Sequence, residues 1–72
     1  MLTAAEKSVL DVFRQYLMDQ GEMLCFHGPL WDKHHTSLRQ LTERDLLFQE
    51  SFKGGYSLTE TGFAAMKSEM LA

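Results

Sequence analysis

The chain has few of the features that mark disulfide-bonded, zinc-bound or membrane proteins. It has one cysteine among 72 residues, which excludes an internal disulfide and a zinc site built from several thiolates. Its longest apolar runs, such as residues 23–26 and 46–48, span three or four residues, too few for a membrane span or a signal-peptide core. We therefore expect a cytoplasmic protein with no membrane partner.

An excess of basic residues is also missing. The formal net charge of −3 repels phosphate overall and argues against a protein that coats nucleic acid without selection. The stretch from Asp32 to Lys53 carries four basic and four acidic residues and is the least acidic part of the chain. The location of charge therefore matters more than its total.

What the chain does contain is enough apolar material for one core. The hydrophobic fraction is 44%, with five Phe, two Tyr and one Trp, which is typical of a globular protein rather than a disordered one. A chain of this length holds one hydrophobic core. Residues 1–72 are thus expected to form a single domain.

The first predicted helix begins at a capping-box pair, Thr3 and Glu6, whose side chains satisfy backbone donors at a helix start. Gly21 is predicted to end it. Apolar residues recur at helical spacing along one face. The predicted inward positions are Val9, Val12, Phe13, Tyr16 and Leu17.

The segment from Glu22 to His27 is too short to classify by its period and ends at Gly28-Pro29. A strand and a single helical turn both fit, and we favour a short strand or extended segment. A second helix follows, beginning at Leu30 or near Thr36. Its predicted inward positions are Leu30, Trp31, His34, Leu38, Leu41 and Leu46.

A β-hairpin and a last helix complete the pattern. Residues 46–51 and 56–59 are rich in aromatic and aliphatic residues, and Lys53-Gly54-Gly55 between them suits a tight reversal. Thr59 is a predicted N-cap of the final helix. Together the elements predict an α+β fold in which the helices pack on a short antiparallel sheet.

Two stretches of sequence carry a family resemblance. They are Leu38-Arg39-Gln40-Leu41-Thr42-Glu43-Arg44-Asp45-Leu46-Leu47 and, after a short turn, Tyr56-Ser57-Leu58-Thr59-Glu60-Thr61-Gly62. From Leu38 to Met66 the chain resembles the recognition helix, wing and closing helix of winged-helix transcription regulators of the MarR and PadR type. Asp45 stands where those families usually have a glycine that ends the helix. The segment from Glu22 to Trp31 decides whether a complete helix-turn-helix is present.

The resemblance implies a winged-helix domain that binds double-stranded DNA, as a homodimer or as an accessory to a larger regulator. The second helix would enter the major groove and the hairpin would meet a phosphate. His34 would lie at the flank of that helix. The predicted DNA-binding residues are Lys33, His35, Thr36, Ser37, Arg39, Gln40 and Lys53.

A protein-interaction module without nucleic-acid binding is the alternative, and the acidic total favours it. Exposed aromatic residues and methionines mark protein interfaces, although we expect all but one or two of the candidates to be buried. These candidates are Met23, Phe26, Leu30, Trp31, Phe48 and Phe52. A dimer seam along Met66, Met70 and Leu71 is a further alternative to their burial within one monomer.

Sequence patterns for catalysis are missing. There is no nucleophile elbow or paired-carboxylate motif, and Gly54-Gly55 is too brief for a phosphate loop. The residues Cys25, His27, His34 and His35 match no metal-ligand spacing. We expect no enzyme, no cofactor and no metal site.

Overall fold

A computed structural model of the chain describes the backbone of residues 2–71 and the side chains of residues 2–68. In chain order its elements are α1 (Ala4–Gln15), β1 (Met23–Cys25), α2 (Pro29–Glu43), β2 (Leu47–Gln49), β3 (Gly55–Leu58) and α3 (Glu60–Leu71). The strands form one antiparallel sheet in the order β1-β3-β2. The predicted α+β class, with helices beside a short antiparallel sheet, is confirmed.

The N-terminus of α1 forms the predicted capping box. The Glu6 backbone N–H donates to Thr3 Oγ1 at 3.1 Å, and the Thr3 backbone N–H donates to Glu6 Oε1 at 2.8 Å. Two otherwise unpaired backbone donors of the first turn are thereby satisfied. The predicted start of this helix is confirmed.

The predicted end of α1 at Gly21 is wrong, because the helix stops at Gln15. Leu17 adopts a φ of 54°, and the N–H of Met18 donates to the carbonyl of Phe13 at 3.0 Å. This is a Schellman stop with leucine in the left-handed position that glycine usually takes. The predicted inward positions Tyr16 and Leu17 are consequently exposed, Leu17 by 85%, and Leu10 is buried on the inward face instead.

The middle of the chain forms a strand and then one continuous helix. The favoured strand assignment for the segment after Glu22 is confirmed by β1. Of the two starts weighed for the second helix, the earlier lies one residue from the observed start at Pro29, which occupies the first helical position as proline prefers. In the described residues no other helix separates α1 from α2, so the segment from Glu22 to Trp31 does not supply a second helix before α2.

The end of α2 is set by Asp45. Its φ of 61° lies in the left-handed region, and the next N–H, that of Leu46, donates back to the Leu41 carbonyl at 2.9 Å. Leu41 and Leu46 are both buried, which is the hydrophobic contact expected of such a stop. Asp45 thus takes the conformation for which the resembled families use glycine.

The start of α3 is built directly against this turn. The Thr59 hydroxyl donates to the Asp45 carbonyl at 2.6 Å and accepts from the Gly62 N–H at 3.0 Å, which confirms Thr59 as an N-cap. A Cβ added at Gly62 would overlap the Leu46 carbonyl oxygen and lie 2.8 Å from the carbonyl carbon. Only glycine therefore lets α3 approach so closely.

An ion pair between an exposed guanidinium and a buried carboxylate connects the same region to α1. Arg44, at the C-terminus of α2, donates from Nη1 to Glu6 Oε1 at 2.8 Å. Burial by itself raises the pKa of Glu6, but hydrogen bonds from the Thr3 backbone and Arg44, with the charge of Arg44, outweigh it and lower that pKa. Glu6 therefore joins the helix cap to the end of α2 as a carboxylate.

The core lies between the helices and one face of the sheet, which we call the inner face. Its buried apolar residues are Val9, Leu10, Phe13, Phe26, Leu38, Leu41, Leu46, Leu47, Tyr56, Leu58 and Met66. Met66 of the predicted dimer seam is thus buried within the monomer, while the side chains of Met70 and Leu71 lie outside the described residues. The expectation that few large apolar residues stay exposed is wrong, because Met23, Trp31, Phe48 and Phe52 are all exposed.

We predict that Gly62→Ala lowers the free energy of unfolding by about 2 kcal/mol, because the added methyl group forces α3 away from Leu46. A shift of this size lowers the Tm by roughly 10 °C in so small a domain. The sign of the change in the free energy of unfolding distinguishes the two cases, since Gly→Ala at an unobstructed helical position stabilises by about 1 kcal/mol. Thermal and urea unfolding measure it, with the exposed neighbour variant Thr61→Ala as control. Equal or greater stability of Gly62→Ala would refute the close approach.

We also predict an acid-sensitive contribution from Glu6. Because its folded pKa is lowered from 4.5, its stabilisation is present above pH 4.5 and is lost as the pH falls through the folded value. Glu6→Gln should cost about 1 kcal/mol at pH 7, and its difference from wild type should shrink as the pH falls below 4.5 and through the lowered pKa of Glu6. Urea unfolding between about pH 3 and pH 7 measures this, with Asp11→Asn as the control at an exposed ion pair. A stability difference between Glu6→Gln and wild type that stays constant across this pH range would contradict the prediction.

Candidate functional site

The predicted DNA-binding residues of α2 divide between two flanks of its exposed face. At about 100° per residue, Lys33 and Gln40 lie within about 20° of each other on one flank. His35 and Arg39 lie within about 40° of each other on the flank nearest the hairpin. Thr36 lies between these two flanks and is exposed.

Ser37 does not belong to this surface. It is buried on the inward side of α2, one turn before Leu41. Ser37 was predicted to bind DNA from the exposed side of α2, and its burial on the core side argues against that role, because a covered hydroxyl is poorly placed to contact a phosphate or a base edge. The small side chain instead suits the close packing of α2 against its neighbours.

A groove separates α2 from the β2–β3 hairpin. It consists of two adjoining open depressions, the larger about 500 Å³, which share Trp31, Gln49 and Tyr56 as lining residues. Phe52 and Lys53 line the half at the hairpin tip, and His35 and Arg39 line the half along α2. We call this surface, lined by Trp31, His35, Arg39, Gln49, Phe52, Lys53 and Tyr56, the α2–hairpin groove.

Trp31 stands at the centre of the groove. Its ring stacks on His35, one turn further along α2, with centroids 5.6 Å apart and an interplanar angle of 30°. The indole is nevertheless 39% exposed, so part of it remains accessible to a ligand. Helical spacing predicted that Trp31 faces inward, and that prediction is wrong because this position on α2 faces the hairpin.

The hairpin tip is attached to the chain that precedes α2. The N–H of Phe26 donates to the Gly54 carbonyl at 2.8 Å, and Gly54 has a φ of 78°. A Cβ at Gly54 would lie only 2.6 Å from the Phe26 carbonyl oxygen. This contact places Phe52 and Lys53 beside the N-terminal half of α2 and so forms one wall of the groove.

The charges around the groove have both signs. Arg39 and Lys53 are the cations, while Glu43 and Glu50 line the same two depressions. Glu50 accepts a hydrogen bond from the Ser57 hydroxyl at 2.6 Å, which holds its carboxylate to β3. The groove is therefore not a strongly basic channel, and the positions of its two cations matter more than the sum of charges.

The remaining cations of the domain differ in their partners. Arg14 pairs with Asp11, Arg44 with Glu6, and Lys67 lies over the Phe63 ring at 5.3 Å. Lys7 also has an interaction partner. Across residues 2–68, the cations without an ion pair, a hydrogen bond or a contact with an aromatic ring are Lys33, Arg39 and Lys53, all of them on α2 or the hairpin.

His34 lies on the core side of α2. Its ring packs edge-on against the Phe26 ring, with the ring centroids 6.2 Å apart. Burial, and secondarily the charge of Lys33, lowers the pKa of His34 below 6.5. The imidazole is therefore neutral near pH 7 and belongs to the core rather than to the flank of a DNA surface. Within the described residues, no cluster of three or more side chains is arranged to hold a metal ion.

The outer face of the sheet, opposite the core, carries a second exposed apolar surface. The pairing register aligns Met23, Ser57 and Phe48 across the three strands. Met23 and Phe48 are exposed and Ser57 is buried between its neighbours. We call these three residues the outer-face row.

No protein-family model, curated protein or solved structure significantly matches this chain. The resemblance to winged-helix regulators accordingly stays a prediction. Among the helices that the structure describes, none is long and apolar enough to span a bilayer.

Proposed function

We propose that this chain is a winged-helix-like domain that binds DNA through the exposed face of α2 and the β2–β3 hairpin. The observation that carries the proposal is the distribution of cations, because the three without a partner in the described residues are Lys33, Arg39 and Lys53. Cations that are neither paired with a carboxylate nor held over an aromatic ring are the ones most available to phosphates. Their placement on the two elements that the family resemblance assigns to DNA supports this function.

Two features of the fold add support. The Leu41–Leu46 stop with Asp45 in the left-handed position, and the capping of α3 by Thr59, are the roles that the resembled families give to these positions. The departure is the absence of a helix between β1 and α2 in the described chain. α2 would therefore contact DNA without a preceding helix that crosses the phosphate backbone. The domain would make fewer phosphate contacts than a complete helix-turn-helix.

Weak binding by a single copy is the physical consequence. A surface with three available cations displaces few counterions, and each phosphate contact contributes about 0.9 to the slope of log K against log salt. High affinity would need two copies on paired half-sites. We therefore propose that the DNA-bound form is a homodimer or part of a larger regulator.

The expected result is a measurable affinity for mixed-sequence duplex DNA at low salt, with a salt slope of about −2 to −3. Fluorescence anisotropy of a labelled duplex measures the slope, and NMR shifts should be confined to the exposed face of α2 and the hairpin. Lys33→Gln, Arg39→Gln and Lys53→Gln should each weaken binding and reduce the slope by about one. Lys67→Gln is the matched control and should change neither. An unchanged NMR spectrum at low salt would exclude the DNA function.

A protein-interaction domain is the second candidate, and the outer-face row favours it. Phe48 is 58% exposed and Met23 also faces solvent, with the small Ser57 between them. A twofold interface brings the same surface of two copies together, so the exposed Met23 and Phe48 of one copy can pack on those of another. A second copy of this chain is thus the partner we propose for this face.

For this candidate, Phe48→Asp should abolish any concentration-dependent self-association seen by sedimentation, because it introduces an unpaired charge into the apolar contact. Phe52→Asp, at a residue equally exposed but in the groove, is the matched control and should leave self-association intact. A strictly monomeric wild-type protein at high concentration would exclude this use of the outer face.

A further inference from the structure

We propose that the α2–hairpin groove binds an unpaired nucleobase, so that the domain prefers DNA with single-stranded segments over a continuous duplex. This inference rests on the proposed DNA function and specifies its substrate class. It is carried by the arrangement of one exposed aromatic stack between two cations that have no partner in the described residues.

The groove has the shape and chemistry for a base. A depression of about 500 Å³ lies in the range of sites that hold small organic groups. Its aromatic surfaces are the accessible part of Trp31 and the exposed ring of Phe52, which line the same depression. Stacking on such surfaces accepts any base, because every base has a π face.

The cations are placed for the backbone on either side of a stacked base. Lys53 lines the depression at the hairpin tip, Arg39 lines the one along α2, and Trp31 lines both. A strand that enters beside Lys53 and leaves beside Arg39 would therefore pass over the indole. Gln49 lines both depressions, and its side-chain amide can donate and accept hydrogen bonds at a base edge.

A regular duplex does not offer this contact. Bases in a duplex are stacked on each other, and a side chain reaches their faces only when they are unpaired or extruded. The phosphate contacts of Lys33 on the far flank of α2 need no such opening. Binding to the duplex and binding of an unpaired base are thus separable properties of this surface.

The experiment uses Trp31 itself as the reporter, because it is the only tryptophan in the chain. Its fluorescence is followed during titration with a thymidine oligonucleotide of roughly ten nucleotides, with a continuous duplex, and with the same duplex carrying a single-stranded overhang. We expect quenching by the oligonucleotide and the overhang, at lower concentrations than any response to the continuous duplex.

Substitutions then test the groove. Trp31→Ala and Phe52→Ala should each weaken oligonucleotide binding about ten-fold, measured by anisotropy of labelled DNA. Phe48→Ala is the control, since Phe48 is as exposed as Phe52 but lies on the outer face of the sheet. Circular dichroism of each variant establishes that it is folded, and Phe52→Ala keeps the test valid if Trp31→Ala does not fold.

The outcomes separate the two proposals. Duplex binding with unchanged Trp31 fluorescence and no gain from the overhang would overturn the groove inference and leave the DNA function standing. If the groove binds a peptide and no nucleobase, the oligonucleotide will leave the Trp31 fluorescence unchanged, and this result would also overturn the groove inference. Failure of every DNA probe to bind at low salt would overturn both proposals together.

Discussion

The fold depends on one tight corner, formed by the turn at Asp45–Leu46 and the start of α3. The Leu46 backbone accepts the N–H of Thr59 at 3.3 Å and lies directly against Gly62, while the Thr59 hydroxyl holds the Asp45 carbonyl. One residue earlier, Arg44 reaches the buried carboxylate of Glu6. All three helices therefore meet at residues 44–46, and β2 begins immediately after them.

This corner also sets the direction in which the hairpin leaves α2. Because β2 starts at Leu47 and pairs with β3 in a register that places Leu47 opposite Leu58, the hairpin runs back along α2. The contact between Phe26 and Gly54 then attaches its tip near the start of that helix. The α2–hairpin groove is the space that these two attachments leave open, which explains why Trp31 is only partly covered.

Much of the architecture could be predicted because its signals are local. The Thr3–Glu6 pair, the Thr59 cap and the glycine at the hairpin tip each act within a few residues and can therefore be recognised in the sequence. Pro29 was recognised as the end of the preceding segment, although it also begins α2. The end of α1 could not be found this way. Leu17 adopts the left-handed conformation that glycine usually takes. The glycine signal at Gly21 therefore predicted too long a helix, with Tyr16 and Leu17 in the core.

The candidate site was predictable only in part, and for a different reason. Helical spacing predicted Arg39 on the exposed side of α2, and the turn residues Lys53-Gly54-Gly55 predicted Lys53 at the hairpin tip. Helical spacing could not distinguish the two flanks of α2. It assigned Trp31 inward and Ser37 outward, whereas the structure has the reverse. Which side of an amphipathic helix faces a second element depends on how that element is attached elsewhere in the chain.

The sequence by itself determined the three helices and the hairpin, the caps that start α1 and α3, and the apolar content that forms one core. It determined these because capping, turn chemistry and hydrophobic period are properties of neighbouring residues. Only the tertiary structure decided that Gly62 must lack a side chain, that Ser37 is covered and that Trp31 stands open between Arg39 and Lys53. Those facts depend on contacts between residues far apart in the chain, where close packing rather than local preference decides which side chain has room.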